Sequence, residues 1–286
     1  MTTTVPIRES VGAALRFVRE NIRFIAIVAA TGAAALTLVG AINLAAPGLA
    51  LVTTIASTFL HAFVYAAFIG AAVFGPGDVR GRWVNDGLRV WAAMAIIGFL
   101  MLIVMFAASM VASIVLVAGP LGPYLQELQA AGNDDTAVLA VMTRFAEQSP
   151  GTILTLMLFL GGIWILLTSR FYIAAPASVD QQRILTFETW KWTRGAMLRI
   201  TGARMMVLAP AYILLFAVAQ LLGRLLGFDP LDPVSVAAFA SGSGALYLLF
   251  VFISAFLSVG LYSALEAGLS SYLYRGLKPE TPPAAT

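Results

Sequence analysis

Residues 170–204, RFYIAAPASVDQQRILTFETWKWTRGAMLRITGAR, place a dense group of basic side chains between two uncharged apolar segments. The stretch holds six of the 17 lysines and arginines and two of the five tryptophans of the chain. Its bases are Arg170, Arg183, Lys191, Arg194, Arg199 and Arg204. The alternation of long apolar runs with short charged segments decides the fold class.

The composition predicts an all-α polytopic membrane protein. Sixty per cent of the residues are hydrophobic and 11% are charged, and the mean hydropathy is +0.91. In soluble domains about 25% of residues are charged, and a membrane barrel would show short alternating segments instead. The opening MTTTVPIRES lacks a short apolar core before a cleavage site, so we expect no cleaved signal peptide.

Six membrane spans follow from the lengths of the apolar runs. No Asp, Glu, Lys or Arg occurs from Phe24 to Gly77, which is enough chain for two spans of about 20 residues. The sequence predicts a single domain over residues 1–275 and a disordered tail over 276–286. The predicted spans are about 24–42, 49–74, 92–118, 152–173, 203–222 and 245–265.

Residues 7–23 have the pattern of an amphipathic helix. Ile7, Val11, Leu15, Val18 and Ile22 fall on one face and arginines on the other. Such a helix suits the headgroup boundary of an anionic leaflet, although it could instead pack on other segments of the chain. Similar segments precede the third and fifth spans, which predicts three hairpin units over 5–74, 78–175 and 180–275.

Local signals predict how several connecting segments fold. Residues 124–150 read as two short helices joined by GNDD, with Asp134 or Asp135 as the N-cap. Asp232 before Pro233 marks another helix start. Pro176 is expected to end the fourth span, and Ser178 with Gln181 fits a capping box that starts a new helix.

The distribution of charge predicts the orientation. Loops and termini on the side of residues 1–23 hold 15 bases, and the loops on the opposite side hold two. Because basic residues are retained on the cytoplasmic side, we expect both termini in the cytoplasm and the protein in the bacterial cytoplasmic (inner) membrane.

The basic residues are candidates for contact with lipid headgroups, since each base near an anionic surface contributes about 1 kcal/mol. The expected function is therefore that of a non-enzymatic membrane protein that engages anionic phospholipid or a protein partner through a basic cytoplasmic face. The alternative is that these charges only set the topology. The candidates are Arg16, Arg19, Arg23, Arg183, Lys191, Arg194, Arg199 and Arg204.

Two ionisable residues, His61 and Glu266, are candidates for intramembrane polar sites. His61 lies near the middle of the second span, which leaves open a small transporter or channel subunit with a midplane site. A neutral imidazole bonded to a neighbouring helix is the structural alternative. For Glu266 we expect a salt bridge to an arginine.

Several site classes are not expected. The chain has no cysteine and one histidine, which excludes thiolate sites and sites built from several imidazoles. No acid–base or metal constellation falls at membrane depth, so we expect neither an enzyme nor a cofactor nor a metal, and no nucleic-acid partner. Gly260, Ala264 and Gly268 recur every four residues and would permit close helix approach, either in a homo-oligomer or within one bundle.

The stretch FYIAAPASVDQQRILTFETWKWTRGAMLRITGARMM resembles a pattern in bacterial six-span membrane proteins related to the membrane domain of some glycerophosphoryl diester phosphodiesterases. The pattern joins a span ending in Arg170 and Ala174-Ala175-Pro176 to a tryptophan-containing helix with Thr193-Arg194-Gly195. Ser10 to Arg23 also resembles the opening of such proteins. The resemblance implies a six-span membrane domain, and because the phosphodiesterase catalytic domain is absent, it brings over no catalytic residue.

Overall fold

The structure, a computed structural model, describes residues 6–279. These residues form helices and turns, with no strand among them. The all-α prediction is confirmed for this part of the chain. The expectations for residues 1–5 and for residues 280–286 of the tail lie outside the described residues.

Thirteen α-helices make up most of the described residues. Short 3-10 turns occur at Pro47–Leu49, Pro76–Asp78 and Gly122–Tyr124, and a π-helical segment at Ser258–Ser263 joins the last two α-helices. The helices are α1 Ile7–Glu20, α2 Ile22–Ala45, α3 Ala50–Phe74, α4 Trp83–Ala118, α5 Leu125–Ala131, α6 Asp135–Gln148, α7 Pro150–Arg170, α8 Ala174–Asp180, α9 Thr186–Trp192, α10 Met197–Leu226, α11 Pro233–Gly242, α12 Gly244–Leu257 and α13 Ala264–Leu277.

Within residues 6–279, six helical stretches are long and apolar enough to cross a membrane, as the sequence predicts for a multi-pass membrane protein. They extend beyond the expected spans because the helices continue into charged segments, most clearly where α4 begins at Trp83. The stretches are Ile22–Ala45, Pro47–Phe74, Trp83–Ala118, Pro150–Asp180, Met197–Leu226 and Gly244–Leu277.

The chain divides into two compact units. Unit 1 contains the residues up to Ile96 and those from Ser169 onward, and unit 2 is Ile97–Thr168. All the candidate lipid-contact residues and both intramembrane candidates belong to unit 1.

The core of unit 1 is concentrated at one end of its long helices. In α3 the buried residues are mostly those from Ala62 to Ala71, while Leu51 near the other end is 73% exposed. Helix α13 is mostly buried, whereas α12 has no buried residue. We call the well-packed end, where α1, α8, α9 and the end of α13 meet, the basic end.

Helix α1 packs against the protein with part of its apolar face. Ile7, Val11 and Val18 contact the core formed by α8, α10 and α13. Leu15 and Ile22, which share the predicted apolar face, are exposed. Helix α1 is therefore anchored on unit 1 and still presents Leu15 outward, while Ile22 begins α2.

The small-residue repeat of the last span provides close contacts within the chain. A Cβ atom on Gly260 would lie 3.3 Å from the Cβ of Ala29 in α2, and one on Gly268 would lie 3.0 Å from Cδ1 of Phe17 in α1. Ala264 is fully buried. Of the two uses that the sequence allows, the structure shows the packing within one bundle.

The stretch 170–204 folds back on itself after α7. The Arg170 guanidinium lies 4.4 Å from the centre of the Trp190 ring, and the Thr193 hydroxyl donates a 2.8 Å hydrogen bond to the Arg170 carbonyl oxygen. The predicted Ser178 capping box is wrong. Ser178 lies inside α8, where its hydroxyl donates to the Ala174 carbonyl and accepts from the Leu185 backbone N–H.

Unit 2 contains the two short helices predicted between residues 124 and 150. The Asp134 side chain accepts hydrogen bonds from the backbone N–H groups of Thr136 and Ala137 at the start of α6, so the predicted N-cap is confirmed. Arg144 forms a 2.7 Å ion pair with Glu127, which joins α6 to α5.

Candidate functional site

Seven of the eight lipid-contact candidates are exposed side chains that form no ion pair with a carboxylate among residues 6–279. They lie in α1, at the start of α2, between α8 and α9, in α9 and around the start of α10. We call this set the basic face: Arg16, Arg19, Arg23, Arg183, Lys191, Arg194 and Arg199.

Three other bases of unit 1, Arg82, Arg89 and Lys278, lie beside carboxylates. Asp86, only 3% exposed, lies 3.5 Å from Arg82 and 2.8 Å from Arg89. Lys278 pairs with Asp180 at 2.6 Å, and this hydrogen bond raises the pKa of the Lys278 ammonium group. The basic face differs from these three bases in keeping its charges available to an external partner, as the exposed Arg8, Arg80 and Arg275 also do.

Apolar side chains lie beside these bases. Leu198, which precedes Arg199, is 71% exposed, and Phe187, four residues from both Arg183 and Lys191, is 60% exposed. Trp190, stacked on Arg170, is also partly exposed. Bases interleaved with exposed aromatic and aliphatic side chains are typical of surfaces that lie at a membrane–water boundary.

Arg204, the eighth candidate, is an interior side chain. It is 9% exposed, its Nη1 donates a 2.9 Å hydrogen bond to the Ser169 hydroxyl, and its guanidinium lies 4.5 Å from the centre of the Tyr172 ring. The structure places it away from the exposed bases, which is a departure from the expected headgroup contact. Packing of the start of α10 against residues 169–172 is the physical reason.

A polar cluster surrounds Arg204 in the interior of unit 1. Glu266 interacts electrostatically with Arg204 and with Tyr65, Tyr172 and Tyr262. The Tyr65 hydroxyl lies 3.1 Å from the Ser270 hydroxyl, and the Tyr172 hydroxyl donates to the Glu266 carbonyl oxygen at 3.5 Å. Arg204 is the arginine that acts electrostatically on Glu266, while the salt bridge expected for Glu266 stays a prediction. We call this group the interior polar cluster.

His61 lies apart from the interior polar cluster. Its ring is exposed on α3, and Nδ1 is 2.8 Å from the carbonyl oxygen of Ser57 in the same helix. The groups that interact electrostatically with Glu266 do not include His61. The structure therefore does not bring the two intramembrane candidates together.

A pocket of about 370 Å³ opens at the basic end, between α1, the end of α3 and α13. Arg16 is the one residue of the basic face that lines it. The remaining polar groups in its wall are Glu20, Asn21, Ser271, Tyr272 and Arg275.

Sequence reasoning missed Ser271, Arg275 and the three tyrosines of the interior polar cluster. Tyrosine and serine are ordinary residues in apolar helices, and only the packing of α3 and α10 on α13 brings these together. From the sequence, Arg275 is only one of the 15 bases that predict the membrane orientation. Among residues 6–279, no group of three or more His, Asp or Glu side chains could hold a metal ion.

No family model, no curated protein and no solved structure matches the chain. The basic face and the interior polar cluster of unit 1 are therefore the features of this chain that indicate a function.

Proposed function

We propose that this chain is a non-enzymatic integral membrane protein whose basic face engages anionic phospholipid in the bacterial cytoplasmic membrane. The observation that carries the proposal is the set of seven exposed bases without a carboxylate partner among the described residues. Each such base near an anionic leaflet contributes about 1 kcal/mol.

Two further features support the proposal. The positive-inside distribution, 15 bases against two, favours cytoplasmic termini and hence a basic face on the side of the anionic inner leaflet. Helix α1 and the charged segments before α4 and α10 would then lie as amphipathic helices at the headgroup level. The exposed Leu15, Phe187 and Leu198 would enter the acyl boundary beside the bases.

The test is native mass spectrometry of the protein released from mild detergent with added phosphatidylglycerol. Replacing Arg194 and Arg199 by Gln should reduce the number of retained lipids. The matched control replaces Arg144 in α6 and Arg224 in the last turn of α10 by Gln, which removes the same charge from the side that the sequence predicts to lie opposite. Equal lipid retention by the two double variants would contradict the proposal.

The resemblance to six-span membrane domains of glycerophosphoryl diester phosphodiesterases stays a prediction, based on residues 171–206 and 10–23. A homo-oligomer or a membrane-protein partner likewise stays a prediction. The same mass spectra report the oligomeric state, because the subunit mass is 30.3 kDa.

A second candidate function is that of a small transporter or channel subunit. The interior polar cluster favours it, because ionisable groups grouped within a bundle mark ion and proton pathways. Tyr262 lies in the π-helical segment Ser258–Ser263, and such segments often occur at functional sites. In this candidate the working group is Glu266 with Arg204, whereas the sequence alone suggested a site near His61.

Proton flux into pyranine-loaded proteoliposomes tests this candidate. Flux that persists in His61→Ala and is lost in Glu266→Gln would support the interior polar cluster as its path. The reverse pattern would favour a site near His61. No protein-dependent flux would count against a proton pathway.

A further inference from the structure

The pocket at the basic end is built from three elements that meet near the end of α3. Helix α1 contributes one wall, α13 contributes the opposite wall, and Ala71 and Ala72 of α3 form the floor. Its volume of about 370 Å³ is in the range of small-molecule sites. Gly268 in the wall of α13 lets α1 approach closely, so the pocket lies beside a tight helix contact.

Two guanidinium groups line the pocket, Arg16 from α1 and Arg275 from α13. Arg275 is held in place by hydrogen bonds from Nη2 to the carbonyl oxygens of Ala72 at 2.8 Å and Val73 at 3.1 Å. A guanidinium has five N–H donors, so three remain on Nε and Nη1. Arg16 on α1 is exposed and pairs with no carboxylate among the described residues. The pocket therefore offers a cluster of donors for an oxyanion.

Ser271 gives an independent indication of a ligand. The residue is 2% exposed and lines the pocket, yet its buried hydroxyl has no hydrogen-bond partner among residues 6–279. A helical serine commonly donates to a carbonyl of the preceding turn, as Ser270 does to Ala267. A buried hydroxyl without a partner is unfavourable. An acceptor oxygen of a ligand in the pocket would supply the missing hydrogen-bond partner.

Glu20 and Asn21 define what accompanies the oxyanion. Their side chains lie in the same pocket as the two arginines. A carboxylate disfavours a second anionic group but accepts from a hydroxyl or an ammonium group. The wall thus suits one phosphate joined to a donor-bearing group better than a multiply charged anion.

We propose that this pocket binds the phosphodiester headgroup of a phospholipid, with the phosphate between Arg16, Arg275 and Ser271 and the polar end of the headgroup towards Glu20. This inference rests on the proposed function, because it assigns one defined site on a surface that attracts lipid more diffusely. The pocket lies at the end of a membrane-crossing helix, where a lipid phosphate is expected.

The experiment uses native mass spectrometry of the full chain titrated with phosphatidylglycerol. Arg16→Gln should weaken the tightest lipid-binding event by about tenfold, the loss of one charge-assisted hydrogen bond. Ser271→Leu should give a similar loss by filling the pocket without changing any charge. Arg8→Gln, on the same helix but outside the pocket and outside the basic face, is the control and should change the tightest event less than twofold.

The outcomes separate this inference from the proposed function. Equal effects of Arg16→Gln and Arg8→Gln, with no effect of Ser271→Leu, would overturn the pocket and leave diffuse attraction by the basic residues. Unchanged binding in these variants and in the Arg194 and Arg199 double variant would overturn both. Gel filtration and tryptophan fluorescence of each variant would show whether it retains the native fold.

A competition arm identifies the source of the phosphate. In one outcome, glycerol 3-phosphate displaces the most tightly bound lipid from the wild type and not from Ser271→Leu. That result would support a phosphate site open to soluble ligands. Resistance to glycerol 3-phosphate, with displacement by a second phospholipid, would support a lipid headgroup site. Loss of the bound lipid to sodium chloride at the same ionic strength would overturn a specific site.

Discussion

At the residue scale, single glycines decide how closely α1 and α13 approach. At Gly268 an added Cβ would be 3.0 Å from Cδ1 and 3.1 Å from Cβ of Phe17. Because the Phe17 Cβ is attached to the backbone of α1, it cannot yield without moving the helix. Gly276, on the same helix, has open space around it.

We therefore expect opposite effects from the same substitution at these two glycines. Gly276→Ala should raise the midpoint of thermal unfolding, since alanine is favoured over glycine in a helix by about 0.5–1 kcal/mol. Gly268→Ala should lower the midpoint, because overpacking costs about 1–3 kcal/mol. Tryptophan fluorescence during heating measures both, and equal shifts would contradict the α1–α13 contact.

A second residue-scale prediction concerns the Asp134 cap. Hydrogen bonds from the Thr136 hydroxyl and the backbone N–H groups of Ala137 and Thr136 hold the pKa of Asp134 below its usual value. Its stabilising effect on α6 is thus present above the ordinary carboxyl pKa of about 3.9. It is lost as the pH falls through the lowered value in the folded protein.

Asp134→Ala should accelerate amide exchange in the first turn of α6 at pH 6. The adjacent Asp135→Ala is the matched control and should have little effect, since Asp135 is not the cap. The difference between wild type and Asp134→Ala should shrink towards acid pH. A difference that persists below the pKa of Asp134 would show that the cap does not depend on its charge.

The sequence could narrow the cap of α6 to Asp134 or Asp135 because capping depends on local spacing, and the structure identifies Asp134. The salt bridge expected for Glu266 stays a prediction. The sequence could not find Ser271 or Tyr65, because their roles depend on contacts between helices distant in the sequence.

At the scale of elements, the sequence divides α4 where the structure does not. The sequence predicts a separate short helix in the charged segment before residue 92, but the helix Trp83–Ala118 is continuous. Asp86 explains the continuity: it pairs with Arg82 one turn earlier and with Arg89 one turn later. The hydrophobic pattern therefore changes near residue 92 although the helix continues through that point.

Asp86 also connects the start of α4 to other elements. Arg82 donates from Nη2 to the Val179 carbonyl oxygen at 3.2 Å and lies 3.9 Å from the centre of the Phe74 ring. Asp86→Ala should leave Arg82 and Arg89 without their carboxylate and cost about 1–3 kcal/mol. Hydrogen exchange should then increase over residues 79–89.

Asp78→Ala is the matched control for this prediction. Asp78 is exposed and forms no ion pair among the described residues, so its loss should leave exchange over 79–89 nearly unchanged. Equal exchange in the two variants would mean that the Asp86 pairs do not stabilise the start of α4.

At the scale of the whole molecule, the number of long apolar helices could be predicted because each needs only its own composition. The packing of α1 on α10 and α13 could not, because an apolar face suits a membrane surface and a protein surface equally well. The structure uses part of that face for the protein and leaves Leu15 exposed. Lipid engagement by this helix therefore depends on which side of the membrane the basic end occupies.

The charge distribution predicts that the basic end faces the cytoplasm and that the turn between α5 and α6 lies on the other side. The chain has no cysteine, so single cysteines can be introduced without background labelling. Asn133→Cys, in the exposed turn between α5 and α6, should react with a membrane-impermeant maleimide in intact spheroplasts. Ile184→Cys, exposed between α8 and α9, should react only after lysis.

The reason is the asymmetry of charge. Moving the basic end outward would transfer up to 15 bases across the membrane against the potential, at about 2.3 kcal/mol per charge per 100 mV. Labelling of Ile184→Cys in intact spheroplasts would place the basic face outside. It would then lie away from the anionic inner leaflet, and both the lipid proposal and the headgroup pocket would lose their partner.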